Sequence, residues 1–547
     1  MKTPILGSTY VARSVNAADA RMVNLFPEIV PEAGKEPGFL NRAPGLSLLS
    51  TVGTGPIRGL WAFSSNDSTA FVVSGTELYK ITTLYAATLL GTVAGTGPVS
   101  LADNGTQLFI AANGPSYIYN NTTNVFGQIT DPDFPGAVTV CYLDGYFVFN
   151  EPNSQLMWVT QLLDGTSIDP LEFVSTEGSP DGLLAVTSNF REVWAFGTNS
   201  IEVWYDSGAT DFPLQRIQGA FNELGCAAPF SIAKMDNGIF WLGRDRRGQG
   251  IVYRANGYSG VRISTHAVEW QIQQYADLTD AIAYTYQQDG HSFYVLIFPT
   301  ANTTWVYDAA TQAWHERAGF ANGEFTRHRS NCQMAFNNKI VVGDFENGNI
   351  YAFDLDDYSD NGGIQKWLRS WRALPTGQNN LKRTAHHSLQ LDCETGVGLN
   401  LYPGYEGGEN IDTESGLDLV AEYVQTFLAT QSGVTLTTEA GDGFEPLGQY
   451  ELSDTDISGY NLVTTAYLAS PGYDPEVMLR WSDDGGHTWS NEHWSPVGKI
   501  GAYGHRTFWR RLGMTLKLRD RVYELSGTDP VKITIMGAEL ILSPTNA

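Results

Sequence analysis

The sequence predicts a mainly β protein: a six- or seven-bladed β-propeller plus a C-terminal β-sandwich-like domain with an acidic insertion. One observation is a short pattern that recurs seven times, in which an apolar and aromatic run, a Gly/Asn/Asp turn and a second such run follow one another. Another is the composition, since 12% aromatic residues and 57 glycines favour pleated strands and tight turns. The length of 547 residues also exceeds what a single propeller needs.

The repeated pattern predicts the propeller blades. Its copies are FVVSGTELYKI from Phe71, QLFIAANGPSYIY from Gln107, YFVFNEPNSQLMWVT from Tyr146, VWAFGTNSIEVWY from Val193, IFWLGRDRRGQGIVYR from Ile239, SFYVLIFPTANTTWVYD from Ser292 and KIVVGDFENGNIYAFD from Lys339. They begin about 36 to 53 residues apart, which suits one four-stranded blade per copy. Function is therefore expected on rims, loops and a channel.

Three regions follow along the chain. Residues 1–50 are rich in Pro and Gly and show little alternation, which predicts an extended N-terminal arm. Residues 51–360 form the predicted propeller. Residues 361–547 form a C-terminal β-domain, with strands expected at 387–392, 476–481, 507–518 and 531–542 and an insertion at about 405–474.

The net charge of −26 argues against a surface that wraps DNA, which needs Lys and Arg against the phosphates. It is compatible with DNA sliding through an electronegative conduit, although the charge taken alone favours the simpler interpretation, which is solubility. The charge is uneven, because Thr384 to Leu479 contains no Lys or Arg. The acidic insertion is either an exposed docking arm or a solvated face, and the sequence leaves both open.

Other residue types predict no special chemistry. Cys141, Cys226, Cys332 and Cys393 are far apart and are expected to be ordinary buried thiols. No apolar run is long enough to span a bilayer and the N-terminus lacks an apolar signal core, so synthesis in the cytoplasm is expected.

The sharpest local motif is the run from Ser482 to Trp489, which fits S-x-D-x-G-x-T-W, the Asp-box of sialidases and related propellers. The carboxylate of Asp484 is expected to bond backbone N–H groups of its own turn, with Gly486 at a positive φ and Trp489 packed beneath. Ser482, Asp484, Gly486, Thr488 and Trp489 are therefore predicted to form a structural turn and not a catalytic site.

No catalytic constellation, cofactor site or metal site is predicted, and the chain is expected not to be an enzyme. A sialidase needs three arginines around the ring, whereas the arginines from Arg191 to Arg262 lie in two adjacent blades. Arg244, Arg246 and Arg247 surround Asp245 in a hairpin loop and are predicted to be an exposed contact patch. The histidines show no spacing that suits a metal site.

The chain resembles the packaged DNA stabilisation proteins of short-tailed bacteriophages, the tail-hub or nozzle subunits of the P22 type. The matching segments are VNLFP from Val23, RAPGL from Arg42, IRGL from Ile57, GPVS from Gly97, EGSPDGLLAV from Glu177, REVWAFGTNSIEVWYDSG from Arg191, RWSDDGGHTWSNEHW from Arg480 and GKIGAYGHRTFWRRLG from Gly498. They cover nearly the whole length. The acidic insertion departs from the family pattern.

The resemblance implies a virion protein of the phage tail that forms a homo-oligomeric ring, taken to be a hexamer, below the head-to-tail adaptor ring. Such a nozzle retains the packaged genomic DNA and conducts it at ejection without binding it specifically. Tail spikes or fibres dock outside, and a tail needle or plug is a further expected partner. Arg506, Arg510 and Arg511 are expected either to make assembly contacts or to pair with the acidic insertion.

Two alternatives remain. A glycan-binding or glycan-hydrolysing tail propeller is suggested by the Asp-box and the many aromatic residues, and it would bind sugars as an isolated chain. The second alternative is a cellular scaffold protein of the WD or kelch type, but the repeats lack the sequence signatures of those families.

Overall fold

The protein consists of a seven-bladed β-propeller joined to a two-sheet C-terminal domain. The computed structural model describes residues 1–14, 17–31, 34–176, 178–209, 212–375, 383–399, 410–412, 418–420, 472–515 and 521–544. Each predicted repeat forms the central hairpin of one blade, because its two apolar runs pair across its Gly/Asn/Asp turn. The blade count, left at six or seven by the sequence, is seven.

Every blade is built on four antiparallel strands, which follow one another in chain order from the propeller axis outward except where the N-terminal region supplies the last strand of blade 7. Blade 1 comprises Ile57–Ala62, Thr69–Ser74, Glu77–Thr82 and Ala87–Thr92; blade 2 comprises Ser100–Asp103, Gln107–Ala111, Ser116–Asn120 and Val125–Gln128; blade 3 comprises Val140–Leu143, Tyr146–Asn150, Leu156–Val159 and Phe173–Ser175; blade 4 comprises Leu183–Asn189, Glu192–Gly197, Ile201–Asp206 and Leu214–Asn222.

The remaining blades complete the ring. Blade 5 comprises Ala233–Met235, Gly238–Arg244, Gln249–Asn256 and Ser259–Arg262, with Gly225–Cys226 as an added short strand; blade 6 comprises Ile282–Gln288, His291–Phe298, Thr303–Asp308 and Ala313–Glu316; blade 7 comprises Ser330–Phe336, Lys339–Asp344, Asn349–Asp354 and, from the N-terminal region, Gly45–Thr51. Apolar side chains fill the space between each pair of neighbouring blades, including blades 7 and 1.

The C-terminal domain packs two sheets face to face around an apolar core that contains Trp367, Trp371 and Trp509. One sheet comprises Met22–Val23, Trp367–Arg372, Val522–Gly527, Glu476–Ser482 and His493–Pro496; the other comprises Leu25–Ile29, Gly38–Arg42, Thr534–Pro544, Thr384–Cys393 and Phe508–Arg510. The first sheet continues from the outer edge of blade 6, so one nine-stranded sheet runs through both domains.

The first 50 residues do not form the separate extended arm that the sequence predicts. Strand Gly45–Thr51 closes the propeller by pairing with Asn349–Asp354. Strands Leu25–Ile29 and Gly38–Arg42 lie in the C-terminal domain, where the latter pairs with Thr534–Pro544. The Pro- and Gly-rich composition marks sharp connections between these short strands, and both domains need this segment to complete their sheets.

Helix is limited in the described residues to His266–Ile272 and a 3₁₀ turn at Pro229–Ser231. Two further hairpins are Tyr10–Val11 with Asp19–Ala20, and Ala318–Ala321 with Glu324–Arg327. The predicted insertion lies outside the described residues, apart from the paired strands Asn410–Asp412 and Asp418–Val420 and its last residues, 472–474.

The four cysteines are free; Cys141, Cys226 and Cys393 are buried and Cys332 is half-buried. Among the described residues there is no helix with the length and apolar character needed to cross a bilayer.

Candidate assembly surfaces and the domain junction

An ion pair lies where blade 6 meets the C-terminal domain. Strand Met22–Val23 runs parallel to the end of blade 6 on one side and antiparallel to Trp367–Arg372 on the other. Beside it, Arg21 Nε donates to Glu316 Oε1 at 3.0 Å and Arg21 Nη2 donates to Glu316 Oε2 at 2.7 Å. The Glu316 carboxylate raises the pKa of Arg21. Such two-bonded geometry fixes orientation as well as charge.

Asn24 holds the junction from within. Its buried amide nitrogen donates to the carbonyl oxygens of Ala318 at 2.8 Å and of Lys366 at 2.7 Å, and its amide oxygen accepts from the Ala318 N–H at 3.0 Å. Asn24 has a φ of 52°, a conformation that Asn tolerates better than most residues. One side chain thus satisfies backbone groups from both domains.

Arg42 performs a similar role further along the chain. Its buried guanidinium donates to the carbonyl oxygens of Val531 at 2.9 Å, Tyr358 at 3.0 Å and Gln365 at 2.5 Å, and also to that of Asp529. Burial lowers the pKa of Arg42 to about 10. The guanidinium therefore ties the link that follows blade 7 to the C-terminal domain.

Gly45, in the same RAPGL segment, is required by a close backbone approach. A Cβ at this position would collide with the carbonyl oxygens of Asp357 and Ser359. The RAPGL segment is therefore dictated by local packing at the closure of blade 7.

Arg58 links blade 1 to the connection that leads into blade 2. Its guanidinium donates to the carbonyl oxygens of Gly97 at 2.6 Å, Gly75 at 2.9 Å and Ala94 at 3.0 Å. The IRGL and GPVS segments therefore meet in space. Arg58 also borders a cavity of about 370 Å³ on the propeller axis, which is lined by the innermost residues of all seven blades. A cavity of this size admits a small molecule and is far too small for duplex DNA.

A cluster of buried cationic and aromatic side chains lies between blades 6 and 7. The Arg317 guanidinium sits 5.6 Å from the ring centre of Tyr286 and 5.5 Å from that of Phe293. His315 lies beside it, and both of its ring nitrogens lack a hydrogen-bond partner among the described residues. Burial and the neighbouring Arg317 charge lower the pKa of His315 well below its ordinary value. This histidine is therefore neutral in the folded protein at pH 7.

The Asp-box residues form a hydrogen-bonded turn between strands Glu476–Ser482 and His493–Pro496. Asp484 Oδ1 accepts from the N–H groups of His487 at 3.0 Å and Thr488 at 2.8 Å, and from Ser482 Oγ at 2.6 Å. Asp484 Oδ2 accepts from Thr488 Oγ1 at 2.6 Å. These bonds, led by the one from Ser482, hold the pKa of Asp484 well below its usual range.

The rest of the motif supports the same turn. Gly486 has a φ of 105°, and its N–H donates to Ser482 Oγ at 2.8 Å. Trp489 is half-buried and its ring lies 4.9 Å from the guanidinium carbon of Arg480. These contacts all lie within the hairpin itself, so the geometry suits a structural role.

The C-terminal arginines lie along an exposed edge. Arg506 precedes strand Phe508–Arg510, which is the last strand of its sheet, and Arg511 follows it. All three arginine side chains are exposed, and none forms an ion pair with another described residue. The Arg510 guanidinium lies 4.4 Å from the ring centre of Phe508. The structure therefore brings Arg506, Arg510 and Arg511 together as one basic edge.

Arg244, Arg246 and Arg247 are exposed at the turn between the second and third strands of blade 5. Asp245 Oδ1 closes this turn by accepting from the N–H groups of Arg247 and Gly248, each at 2.8 Å. Arg246 and Arg247 line a cleft of about 430 Å³ between blades 4 and 5, where Arg246 Nη2 donates to Ser179 Oγ at 3.2 Å. This patch and the C-terminal basic edge belong to different domains.

Sequence reasoning missed the junction residues Arg21, Asn24 and Arg42. All three lie in or beside segments noted only for a family resemblance or for their Pro and Gly content. These junction residues could have been predicted from an arginine or asparagine that interrupts an apolar strand pattern, because such a side chain needs hydrogen-bond partners when it is buried.

Comparison with known families identifies both domains. The family model described as "Bacteriophage P22 Gp10, beta-propeller" matches residues 1–358, and the model described as "Bacteriophage P22 Gp10, beta-sandwich" matches residues 460–542. The curated "Tail hub protein gp10" of Salmonella phage P22 is 22% identical over 293 residues, which cover 50% of this chain and 59% of that protein. The chain thus aligns with less than two thirds of that relative.

Solved propellers resemble the chain weakly. Virginiamycin B lyase from Staphylococcus aureus is 11% identical with a TM-score of 0.39, covering 57% of this chain and 99% of that one. YCF48 from Cyanidioschyzon merolae is 12% identical with a TM-score of 0.38, covering 57% of this chain and 98% of that one. Likeness at this level implies no shared activity.

Proposed function

Since this chain belongs to the bacteriophage P22 Gp10 family, we propose that it is a structural subunit of a phage tail hub. The observation that carries the proposal is the match of both family models, in order, to the propeller and the sandwich. The similarity to the tail hub protein of phage P22 supports the same role. On this proposal the chain is a virion component of the tail and has no enzymatic activity.

We further propose that copies of the chain assemble into a ring, taken to be a hexamer. The central channel of this ring would retain the packaged DNA and conduct it at ejection. The axial cavity of one propeller is about 370 Å³, so the DNA channel must run between subunits. Copies that each carry a net charge of −26 would give that channel an electronegative wall. DNA phosphates would be repelled by it, and the duplex would slide without binding.

The rigid link between the two domains supports a mechanical role. A nine-stranded sheet crosses the junction, and Asn24 and Arg42 bond backbone groups on both sides of it. A subunit built in this way transmits force between partners without hinge motion. The proposed partners are the head-to-tail adaptor ring, tail spikes or fibres on the outside, and a tail needle or plug.

Electron microscopy of the purified chain tests this function, both alone and mixed with the dodecameric adaptor ring from the same source. We expect a six-fold ring with a central channel wide enough for duplex DNA, stacked on the adaptor. Gel-shift titration with duplex DNA should show no complex at physiological salt. A persistent monomer that ignores the adaptor and binds oligosaccharide would contradict the proposal and favour a glycan-binding propeller.

A further inference from the structure

One hairpin turn of the propeller has unfavourable residues in a left-handed conformation. In blades 3, 5, 6 and 7 the turn between the first two strands places Asp, Asn or Gly at both positive-φ positions, namely Asp144–Gly145, Asp236–Asn237, Asp289–Gly290 and Asn337–Asn338. The same turn in blade 4 has Phe190 at φ 50° and Arg191 at φ 61°. Phe190 is 66% exposed, so burial does not offset the strain. Strain that local packing does not explain points to function.

The strained turn is part of a larger exposed surface. Arg191 Nη2 lies 2.9 Å from Asp144 Oδ1 in the neighbouring turn of blade 3. The carbonyl of Gly145 in that turn accepts from the Leu163 N–H at 2.8 Å, and Leu163 is itself at φ 60° and 61% exposed. Two strained apolar side chains, Phe190 and Leu163, therefore flank the Asp144–Gly145 turn.

Further apolar and acidic side chains surround these two. Leu162 is exposed beside Leu163, and Leu171, in the same loop of blade 3, is 80% exposed. The same loop of blade 3 carries the acidic residues Asp164, Asp169 and Glu172, and Asp206 ends the third strand of blade 4. None of these four carboxylates forms an ion pair among the described residues. We name Leu162, Leu163, Leu171, Phe190 and these four acidic residues the acidic-apolar surface. Exposed apolar side chains grouped on neighbouring loops in this way are typical of interaction sites.

A surface of opposite charge lies on the C-terminal domain. Arg506, Arg510 and Arg511 lie there close in sequence to exposed or half-buried apolar side chains. Tyr503 is 78% exposed, Met514 is also exposed, and Phe508 lies under the Arg510 guanidinium. We name Tyr503, Arg506, Phe508, Arg510, Arg511 and Met514 the basic-apolar edge. Its three guanidinium groups, without carboxylate partners among the described residues, complement the four acidic side chains of the other surface.

The two surfaces lie far apart in one molecule. The C-terminal domain continues from the outer strand of blade 6 through Met22–Val23. Blades 3 and 4, which carry the acidic-apolar surface, are three and two positions from blade 6 around the ring of seven. The two complementary surfaces therefore belong to separate parts of one copy, and no ion pair joins them among the described residues. They suit head-to-tail contacts, which produce closed rings or filaments.

We propose that the acidic-apolar surface of one copy binds the basic-apolar edge of a second copy. This inference rests on the ring assembly proposed above and names the contact that builds it. Phe190 and Leu163 act as apolar anchors, held out from the propeller by their turns, and Leu171 adds exposed apolar area. The charges set the orientation and speed of association, so assembly should weaken as salt rises.

Two charge-reversed variants test the pairing by analytical ultracentrifugation and mass photometry. Leu171→Lys/Glu172→Lys alters only the acidic-apolar surface, and Arg506→Glu/Arg510→Glu alters only the basic-apolar edge. We expect each variant alone to be monomeric, with at least a tenfold weaker self-association. Mixed together they should associate into a one-to-one dimer, because one intact surface of each kind remains, and into larger alternating assemblies where the reversed Lys and Glu surfaces also pair.

Matched controls are Leu84→Lys, at an 87% exposed leucine of blade 1, and the exposed Arg13→Glu, both of which should assemble as the unaltered chain does. Circular dichroism and melting curves establish that every variant is folded. Phe190→Asn/Arg191→Gly is a second test, since it should raise the melting temperature while weakening assembly. A loss of assembly in this more stable variant cannot come from misfolding.

The outcomes separate this inference from the proposed function. If the unaltered chain forms rings and the charge-reversed variants also do, the named contact is overturned and the tail hub role stands. Folded variants that are monomeric alone but form no dimer on mixing also overturn the pairing of these two surfaces. If the unaltered chain never forms a ring, with or without the adaptor, the proposed function itself fails.

Discussion

The side-chain amide of Asn24 donates to the carbonyl oxygen of Lys366 at 2.7 Å, across 342 positions of sequence. The same amide bonds both the N–H and the carbonyl oxygen of Ala318, at the end of blade 6. A residue from the N-terminal segment thus bonds backbone groups of both domains. Asn24 therefore adds side-chain hydrogen bonds to the coupling that the nine-stranded sheet and Arg42 already provide between the two domains.

Replacing Asn24 with Ala should destabilise the protein by about 2–4 kcal/mol, because it leaves buried backbone groups of Ala318 and Lys366 unpaired. Urea unfolding followed by fluorescence measures this loss, and a single transition is expected to split or broaden as the domains uncouple. Asn491→Ala, at an exposed position in the C-terminal domain, is the control and should change stability by less than about 0.5 kcal/mol. An unchanged transition for Asn24→Ala would show that the junction is held elsewhere.

The propeller could be predicted from the sequence because its central hairpins repeat. Each copy contains a Gly/Asn/Asp turn between two apolar runs, which predicts a hairpin. The recurrence of this pattern in seven copies predicts a ring of similar blades. The role of residues 1–50 could not be predicted in this way. Strand Gly45–Thr51 pairs with Asn349–Asp354, about 300 residues away. The sequence of the strand does not indicate which strand it pairs with. The surface arm was therefore the wrong prediction.

Sequence patterns also failed to predict some fully buried strands and some individual side-chain positions. Strand Val522–Gly527 was not predicted, although it is the middle one of the five strands that the nine-stranded sheet contributes to the C-terminal domain and is buried on both faces. A fully buried strand lacks the alternation that marks a half-buried one. The Asp-box turn could be predicted because its contacts lie within seven residues. The acidic-apolar surface could not, since a strained Phe190 is recognisable only from its backbone angles.

Replacing Asp484 with Ala should open the Asp-box turn without unfolding the domain. The N–H groups of His487 and Thr488 lose their acceptor, so their hydrogen exchange should accelerate about tenfold, as expected for loss of one charge-assisted bond. Amide exchange measured by mass spectrometry on the intact chain reads this out. Asp277→Ala, which removes a similar turn contact in the loop before blade 6, should leave these two amides unchanged.

Protection of the same turn should persist under mild acid. The bonds that Asp484 accepts hold its pKa below the unfolded value of about 3.9. Its contribution to stability is therefore fully present above that value and is lost only as the pH falls through the lower folded pKa. Exchange of the Thr488 amide, corrected for its intrinsic rate, should show the same protection at pH 4.5 as at pH 7. Protection that disappears by pH 4.5 would contradict the assigned bonds.

Replacing His315 with Leu should stabilise the protein and flatten its response to acid. The histidine is buried with both ring nitrogens unpaired among the described residues, and burial lowers its pKa. Below the unfolded pKa of about 6.5 the unfolded chain takes up a proton that the folded site refuses, so stability falls with pH. One such site accounts for up to about 2 kcal/mol between pH 6.5 and pH 5.

Guanidinium unfolding of His315→Leu at pH 7 and pH 5 measures both effects. At pH 7 the variant should gain about 1 kcal/mol, because two unpaired polar atoms leave the core. Between the two pH values it should lose less stability than the unaltered chain. The exposed His387→Ala is the matched control and should keep the original pH dependence. An unchanged slope for His315→Leu would mean that the folded site does accept a proton.

Replacing Phe190 and Arg191 with Asn and Gly should make the propeller more stable and the assembly weaker. Asn-Gly is the preferred pair for a two-residue turn with positive φ at both positions, and relief of strain should contribute about 1 kcal/mol or more. The exposed Phe190 ring has little contact to lose in the isolated subunit. Loss of the Phe190 ring does, however, remove apolar contact area from the proposed interface between copies.

Differential scanning calorimetry of the monomer, at a concentration below that needed for assembly, measures the change in stability, and sedimentation at higher concentration measures the change in assembly. The matched control is Asp236→Asn in blade 5, whose turn already has favourable residues and which should change neither quantity. If Phe190→Asn/Arg191→Gly stabilised the subunit and assembled as well as the unaltered chain, the strain in this turn would have no role in association.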